Sequence, residues 1–517
     1  MDEQPVSPYA AVLDQAHAAA IDYLDTVDDR PVGVDCGEDN LRYLDTELAG
    51  PLGDTGLDPT TVIGDLARCA RRGVVASGGG GFHGLVVGGT LPPAVAADWM
   101  VAAWDQCAAV FDTSPMTSIV EQAALDWTVD LLGLAGSSGP AGISGGFTQG
   151  TTEAHEVAFH IACRQLLAAR GWDLAADGMW GAPPFPVIVS AAAHRSVHKA
   201  LQYVGIGRNR VTAVAADDQG RMRPDALAEI LVRVGGPGLL VLSAGEINTG
   251  SFDPIDELVA LAKPLGYWCH VDGAFGLWAG ASRQLRHLTA GIAQADSWAT
   301  DFHKMLQSTY DGGVVFCSRP DVHHAAMATQ AAYTRTASRP AASRPAAPRP
   351  ADGMDRVLGM ARRARGVPVW AVLRSLGRNG VAELVWRCHA NAALLAELVT
   401  ADGVARVANE VVFNQVLLDI APDHLPGPAA DRFVATVVDR IRADGACWLG
   451  GTRWAGRPML RVSIANWQTT AAHIERSAAA IGRAVRATCE QSGVHGVGWQ
   501  SGQALVGRAR RSLPCGR

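Results

Sequence analysis

The sequence predicts an α/β fold in which a large, mostly parallel mixed sheet is covered by helices and a smaller C-terminal α+β unit follows. Three observations predict it. The chain has 517 residues, too many for one minimal core. Hydrophobic residues make up 48% and charged residues 18%, a balance that suits a compact globular chain and not a disordered one. Short β-rich runs alternate with helical stretches over about 170 residues in the middle, and parallel strands need such helical crossovers.

Taken in order, residues 1–110 read as an N-terminal helical segment interrupted by a glycine-rich loop, SGGGGFHG (77–84). A large domain is expected over 111–334. Its segment GGFTQGTTEAHEVAFHIACR (145–164) places Gly and Thr before an amphipathic helix. Candidate strands follow at 186–194, 210–217, 238–246, 267–276, 296–304 and 312–319. Helices are expected between them at about 196–204, 224–234 and 254–265. Pro224 and Pro254 stand at two helix starts, where a fixed φ and a missing N–H cost nothing. The Pro/Ala/Arg run RTASRPAASRPAAPRP (335–350) reads as part of a mobile loop over 335–360. The C-terminal small domain, 361–489, opens on a long helical pattern at 362–399 and carries strands at 411–420 and 459–467. The tail, 490–517, is rich in Gly and Arg and is expected to be poorly ordered, and no internal repeat is visible.

Several function classes are disfavoured. A net charge of −7 leaves no basic footprint for nucleic acid. No apolar run approaches the ~18 residues of a membrane helix, and the acidic N-terminus lacks a positively charged leader. Ten cysteines without a CxxC pair suggest reduced thiols in a cytoplasmic chain, with no disulfide framework and no metal site.

Lysine usage is more informative. Of 44 basic residues only Lys199, Lys263 and Lys304 are lysines, so amine chemistry has three candidates. Lys199 and Lys263 lie on probable helices and read as solvated cations. Lys304 lies in DSWATDFHKMLQSTYDGG beside His303, an unusual setting for a surface amine. Asp272, in HVDGAFG, sits at the C-terminal end of an apolar strand, the end where open α/β sheets bind ligands. Alone it would read as a turn cap, but Lys304 closes the next strand and can reach the same crevice. Thr151 and Thr152, after Gly150, can direct hydroxyls and backbone N–H groups to a phosphate at a helix N-terminus, though an ordinary capped helix explains them equally well. His194, after PVIVSAAA, can stack on a planar ring or be an ordinary strand-end histidine.

With these residues in view, the sequence resembles the group II pyridoxal 5′-phosphate (PLP)-dependent amino acid decarboxylases, the relatives of aromatic amino acid and glutamate decarboxylases. The resemblance runs from about residue 75 to about 485. It includes GGTLPPAVAADWM (88–100), TSPMTSIVEQAALDW (113–127), GFTQGTTEA, AHRSVHKAL, DDQGRMRPDAL (217–227), NTGSFDPIDEL (248–258), HVDGAFG, DFHK, ARRARGVPVWAVLRSLGR (361–378) and LRVSIANWQTT (460–470). It implies the PLP-dependent transferase fold type I, and PLP as cofactor in a Schiff base with Lys304. Asp272 would pair with the pyridine nitrogen, Ala274 would lie under the ring and His194 above it. Gly150, Thr151, Thr152 and His303 would hold the phosphate, and Arg461 would grip the substrate carboxylate. It further implies decarboxylation of an L-amino acid to an amine by a homodimer whose active site is shared between subunits.

Some positions depart from the family pattern. Relatives often carry HKWLN where this chain has His303-Lys304-Met305-Leu306-Gln307. Glu246 stands where relatives have a small hydroxyl residue near the cofactor's 3′-oxygen, so a carboxylate enters that neighbourhood unless it is turned away or paired. The stretch after Tyr333 lacks the loop tyrosine that returns a proton to Cα in better-known relatives. Where that tyrosine is replaced, oxygen can intercept the carbanion and give an aldehyde, so oxidative deamination is an alternative outcome. A catalytically silent protein of the same fold, acting as a binding or regulatory partner, is a third reading. Leu85-Val86-Val87-Gly88, aligned with the aromatic substrate wall, contains no tyrosine and does not indicate an aromatic substrate.

Overall fold

The computed structural model describes residues 7–136, 142–328 and 350–493. Most of the 335–360 loop and the end of the tail lie outside the described residues.

Five helices precede the main sheet: α1 (Ala10–Thr26), α2 (Glu38–Leu48), α3 (Pro59–Gly73), α4 (Pro92–Trp104) and α5 (Pro115–Leu132). Neither α1 nor α2 contains a buried residue, whereas α5 buries nine, including Val120, Leu125 and Val129.

The main sheet has seven strands in the order β1-β7-β6-β5-β4-β2-β3. These are β1 (Ser144–Thr148), β2 (Val187–Ser190), β3 (Val211–Val214), β4 (Leu239–Ser243), β5 (Trp268–Asp272), β6 (Ser297–Asp301) and β7 (Gly313–Cys317). Strands β3, β2, β4, β5 and β6 run parallel, while β7 is antiparallel to both β6 and β1. The covering helices are α6 (Thr151–Ala168), α7 (Leu174–Asp177), α8 (Arg195–Tyr203), α9 (Pro224–Val234), α10 (Ile255–Ala262) and α11 (Pro320–Met327). Pro254 occupies the N-cap of α10, one place earlier than its expected position inside the helix.

Strand side chains alternate between the two faces. Val187, Val189, Leu239, Val241, Trp268 and Val315 pack with α6 and α8 on one face. Ile188, Leu240, Leu242, Val271, Trp298 and Phe316 join the larger core on the other. A sheet covered on both faces explains why its strands read as continuous apolar runs.

The C-terminal unit begins with α12 (Gly366–Ala401), which breaks helical geometry at Gly377 (φ 60°, ψ −176°). Strands β8 (Arg406–Val407), β9 (Gln415–Asp419), β10 (Gly450–Trp454) and β11 (Arg457–Ser463) form an antiparallel sheet in the order β10-β11-β9-β8. Helices α13 (Gly427–Asp444) and α14 (Ala471–Gln491) complete it. The glycine-rich loop at 77–90 is tied to this unit: His83 N–H donates to the Trp448 carbonyl, and Asn466 Nδ2 donates to the Gly78 carbonyl at 2.9 Å. No described helix is long and apolar enough to cross a membrane.

Candidate active site

The site gathers at the C-terminal ends of β5 and β6 and the N-terminus of α6. Parallel strand ends and a helix N-terminus open there on one crevice, the usual ligand position in such sheets. β6 ends at Asp301, and the chain then turns through Phe302-His303-Lys304. Lys304 Nζ lies 2.8 Å from Asp301 Oδ2. Asp301 Oδ1 accepts the Thr151 backbone N–H at 2.7 Å, so one buried carboxylate ties the amine to the first turn of α6. Burial alone would raise the Asp301 pKa, but Lys304, His303 and Thr151 bring it below the ordinary value.

His303 stacks on Tyr310 with ring centroids 4.3 Å apart, and its Nδ1 accepts the Gly312 N–H at 3.3 Å. Its Nε2 lies 3.8 Å from Asp301 Oδ2, and burial lowers its pKa despite that neighbour. Gly150 leads into α6, and its backbone is so close to Gly313 that a Cβ on Gly313 would fall 2.5 Å from Gly150 Cα. Thr151 Oγ1 is buried without a hydrogen-bond partner. An orphaned hydroxyl at a helix N-terminus suits a phosphate oxygen.

Asp272, 7% exposed, closes β5 beside Ser243 of β4 and Ala299 of β6. Its Oδ1 accepts the Ala274 N–H at 3.1 Å, and its Oδ2 lies 3.4 Å from His155 Nε2. Burial pushes its pKa up, but His155, His194 and the Ala274 N–H together hold it below the usual carboxylate range. A buried anion at a strand end suits a protonated ring nitrogen.

His194 lies four residues beyond the end of β2 and forms the N-cap of α8, with Nδ1 2.8 Å from Ser196 Oγ. Desolvation lowers its pKa, and both Asp272 and Lys304 lie near enough to influence it. Arg461 lies on β11, paired through its backbone with β10 and β9, and its guanidinium has no hydrogen bond or ion pair among the described residues. Desolvation lowers its pKa, and the charge of Glu246 opposes that shift. The inter-strand salt bridge that would make Arg461 purely structural is therefore absent among the described residues.

Glu246 is turned into its own loop. Its carboxylate accepts the backbone N–H groups of Asn248 and Thr249, both at 2.7 Å, and Asn248 Nδ2 at 2.9 Å. The other lysines are elsewhere engaged. Lys263 Nζ pairs with Asp296 Oδ1 at 2.7 Å, so it is not the freely solvated cation expected, and Lys199 lies over the Tyr203 ring. Gly88 backs onto Lys304: a Cβ there would fall 2.2 Å from the Lys304 carbonyl oxygen.

Sequence reasoning passed over His155, which faces Asp272, and His270 and Ser297, which follow it inward. A signal was present. His155 stands four residues after Thr151 on α6, and His270 stands two residues before Asp272 on one side of β5.

The chain is similar to known proteins over most of its length. The model of the pyridoxal-dependent decarboxylase conserved domain matches residues 47–420. The L-2,4-diaminobutyrate decarboxylase of Rhizobium meliloti is 29% identical, covering 92% of this chain and 90% of that protein. The 4-hydroxyphenylacetaldehyde synthase of Rhodiola rosea is 24% identical over 71% of this chain and 72% of its own. The crystal structure of Oryza sativa TDC with PLP and tryptamine superposes with a TM-score of 0.83 at 20% identity, covering 94% of this chain and 99% of that one.

Proposed function

Because this chain belongs to the pyridoxal-dependent decarboxylase family and is a PLP-dependent amino acid decarboxylase of fold type I, we propose that Lys304 is the amine that holds the cofactor and that Asp272 faces its pyridine nitrogen. The observation that carries this reading is the convergence of one lysine, one buried carboxylate and one orphaned helix-terminal hydroxyl on a single crevice. Gly150, Thr151, Thr152 and His303 are assigned to the phosphate, Ala274 and His194 to the two faces of the ring. Arg461 is assigned to the substrate carboxylate, which its unpaired guanidinium suits as a bidentate donor.

Bound PLP supplies a ring that withdraws the electron pair left on Cα when CO₂ departs. The residues of this chain create the conditions for that step. Lys304 Nζ, held beside Asp301, would offer the amine that holds the cofactor. Asp272 keeps a proton on the ring nitrogen by presenting a fixed negative charge. Arg461 orients the substrate so that its carboxylate is the group lost.

Lys304→Ala is expected to abolish both the near-visible absorbance of the PLP-loaded protein and CO₂ release. An unchanged spectrum would remove Lys304 from the assignment. The product is read as the amine. The tyrosine-free stretch after Tyr333 favours a second reading, interception by oxygen to give an aldehyde and ammonia. Assaying CO₂, amine and peroxide together over an amino acid panel separates the two: amine without peroxide excludes the second.

The chain is also read as a cytoplasmic homodimer with a shared active site. The free cysteines among the described residues and the apolar Leu13, Ile21, Leu24 and Leu41, exposed on α1 and α2, support this. Sedimentation at micromolar concentration tests it, and a monomer there would refute the dimer.

A further inference from the structure

A chain of polar side chains runs inward from Asp272, away from the crevice. Asp272 Oδ2 lies 3.4 Å from His155 Nε2. His155 Nδ1 lies 2.9 Å from His270 Nε2. His270 Nδ1 is 2.8 Å from Ser297 Oγ, which is 2.9 Å from Trp268 Nε1. All five residues are buried, and His155, His270 and Ser297 are 0% exposed. Phe159 lies parallel to the His155 ring (5.6 Å, 8°) and edge-on to His270 (5.2 Å, 76°), which fixes both ring planes.

The direction of the protons along this chain follows from its far end. An indole N–H can only donate, so Ser297 Oγ accepts from Trp268. The one hydroxyl proton of Ser297 has an acceptor in this chain only if His270 Nδ1 is bare. His270 then carries its proton on Nε2 and donates it to His155 Nδ1, which must be bare as well. The remaining proton of His155 sits on Nε2 and faces Asp272. A doubly protonated His155 would set an N–H against the N–H of His270. Relieving that clash would require His270 to move its proton to Nδ1, which would leave the Ser297 hydroxyl proton without an acceptor in this chain.

We infer that the Trp268–Ser297–His270 chain fixes His155 as the neutral Nε2–H tautomer, making His155 a positioning residue that orients Asp272 and leaves the carboxylate's charge undivided for the pyridine nitrogen of PLP. The purpose, though not the tautomer, rests on the assignment of Asp272 above. A cationic His155 would compete with the ring for that charge. A His155 bare at Nε2 would repel the carboxylate and let it rotate.

Neutron diffraction from the full-length, PLP-loaded protein in D₂O tests the tautomer directly and needs no variant. Deuterons are expected on Nε2 of both His155 and His270 and on neither Nδ1. A deuteron on His155 Nδ1 overturns the inference. PLP titration followed by absorbance tests the purpose. His155→Leu and Ser297→Ala are each expected to weaken PLP binding about tenfold or more, the effect of losing a hydrogen bond to a charged group. His155→Gln, which keeps an N–H at a similar reach, should recover to within about threefold of the wild type. Unchanged affinity in His155→Leu, alongside lost affinity in Asp272→Ala, overturns the positioning role while sparing Asp272. Unchanged affinity in Asp272→Ala overturns the assignment of Asp272 itself, whatever the tautomer.

Discussion

Asp301 joins two tasks in one side chain, because its two oxygens serve different partners: the Thr151 N–H and the Lys304 ammonium. Removing it leaves a helix-terminal donor and a largely buried cation without an acceptor. Asp301→Ala is therefore expected to cost about 3 kcal/mol of stability, read from urea unfolding, and to weaken PLP binding. Gly88 is a second sensitive position, since the space for its Cβ is already taken by the Lys304 carbonyl and the Gln307 side chain. Gly88→Ala should push the loop off the lysine and cost about 1–3 kcal/mol, with a parallel loss of PLP affinity. Lys304 itself was legible in the sequence by elimination among three lysines, and the orphaned Thr151 hydroxyl turns an ambiguous helix cap into a phosphate ligand candidate. Glu246 was legible as an anomaly, but only the fold shows its carboxylate folded back on Asn248 and Thr249.

At the scale of elements, the parallel strands were legible because a sheet covered on both faces needs uninterrupted apolar runs. Strand β1 was not. Its sequence, SGGFT, contains two glycines, and pairing with β7 is what makes it a strand. A Cβ on Gly145 would meet Leu125 and Phe316 at under 3 Å, so packing and not β-propensity selects glycine there. β10 was missed for a related reason: its residues lie at a half-exposed edge and offer no apolar pattern. The length of α12 was legible, its break at Gly377 was not. Nothing lies within 4 Å of a Cβ placed on Gly377, so space does not require glycine there; the backbone at φ 60°, ψ −176° does. Gly377→Ala is expected to lower stability by about 1–3 kcal/mol in urea, or to straighten α12 and shift it against α4 and α5.

For the whole molecule, buried histidines set the response to acid. Burial pushes His83 down to about 3 and His323 down to about 4 from an ordinary 6.5. In the unfolded chain both take up a proton near 6.5, so below that pH the unfolded state binds more protons than the folded one. Their contribution is fully present above pH 6.5 and is lost as pH falls toward the folded values, at about 1.4 kcal/mol per unit for each histidine. Asp253, raised by burial to about 6, works in the opposite sense and returns about 1 kcal/mol over the same range. From these three groups, stability is expected to fall by about 2 kcal/mol between pH 7.5 and 5.5. Urea midpoints at the two pH values check this, and His83→Gln should show a loss smaller by about 1.4 kcal/mol. A loss unchanged in that variant would remove His83 from the account.

By itself the sequence determined the class of sheet, the candidate cofactor lysine and the acid at the end of β5. Each is written in local order: apolar runs, residue identity and the position of a charged side chain at a strand end. Only the tertiary structure decided which groups meet. His155 lies 117 residues before Asp272, and His270 meets Ser297 only through the register of β5 against β6. Likewise, whether Glu246 opens onto the crevice and whether Arg461 keeps a free guanidinium depend on side-chain direction and on packing between the two units. Those are properties of the closed fold, and no spacing along the chain encodes them.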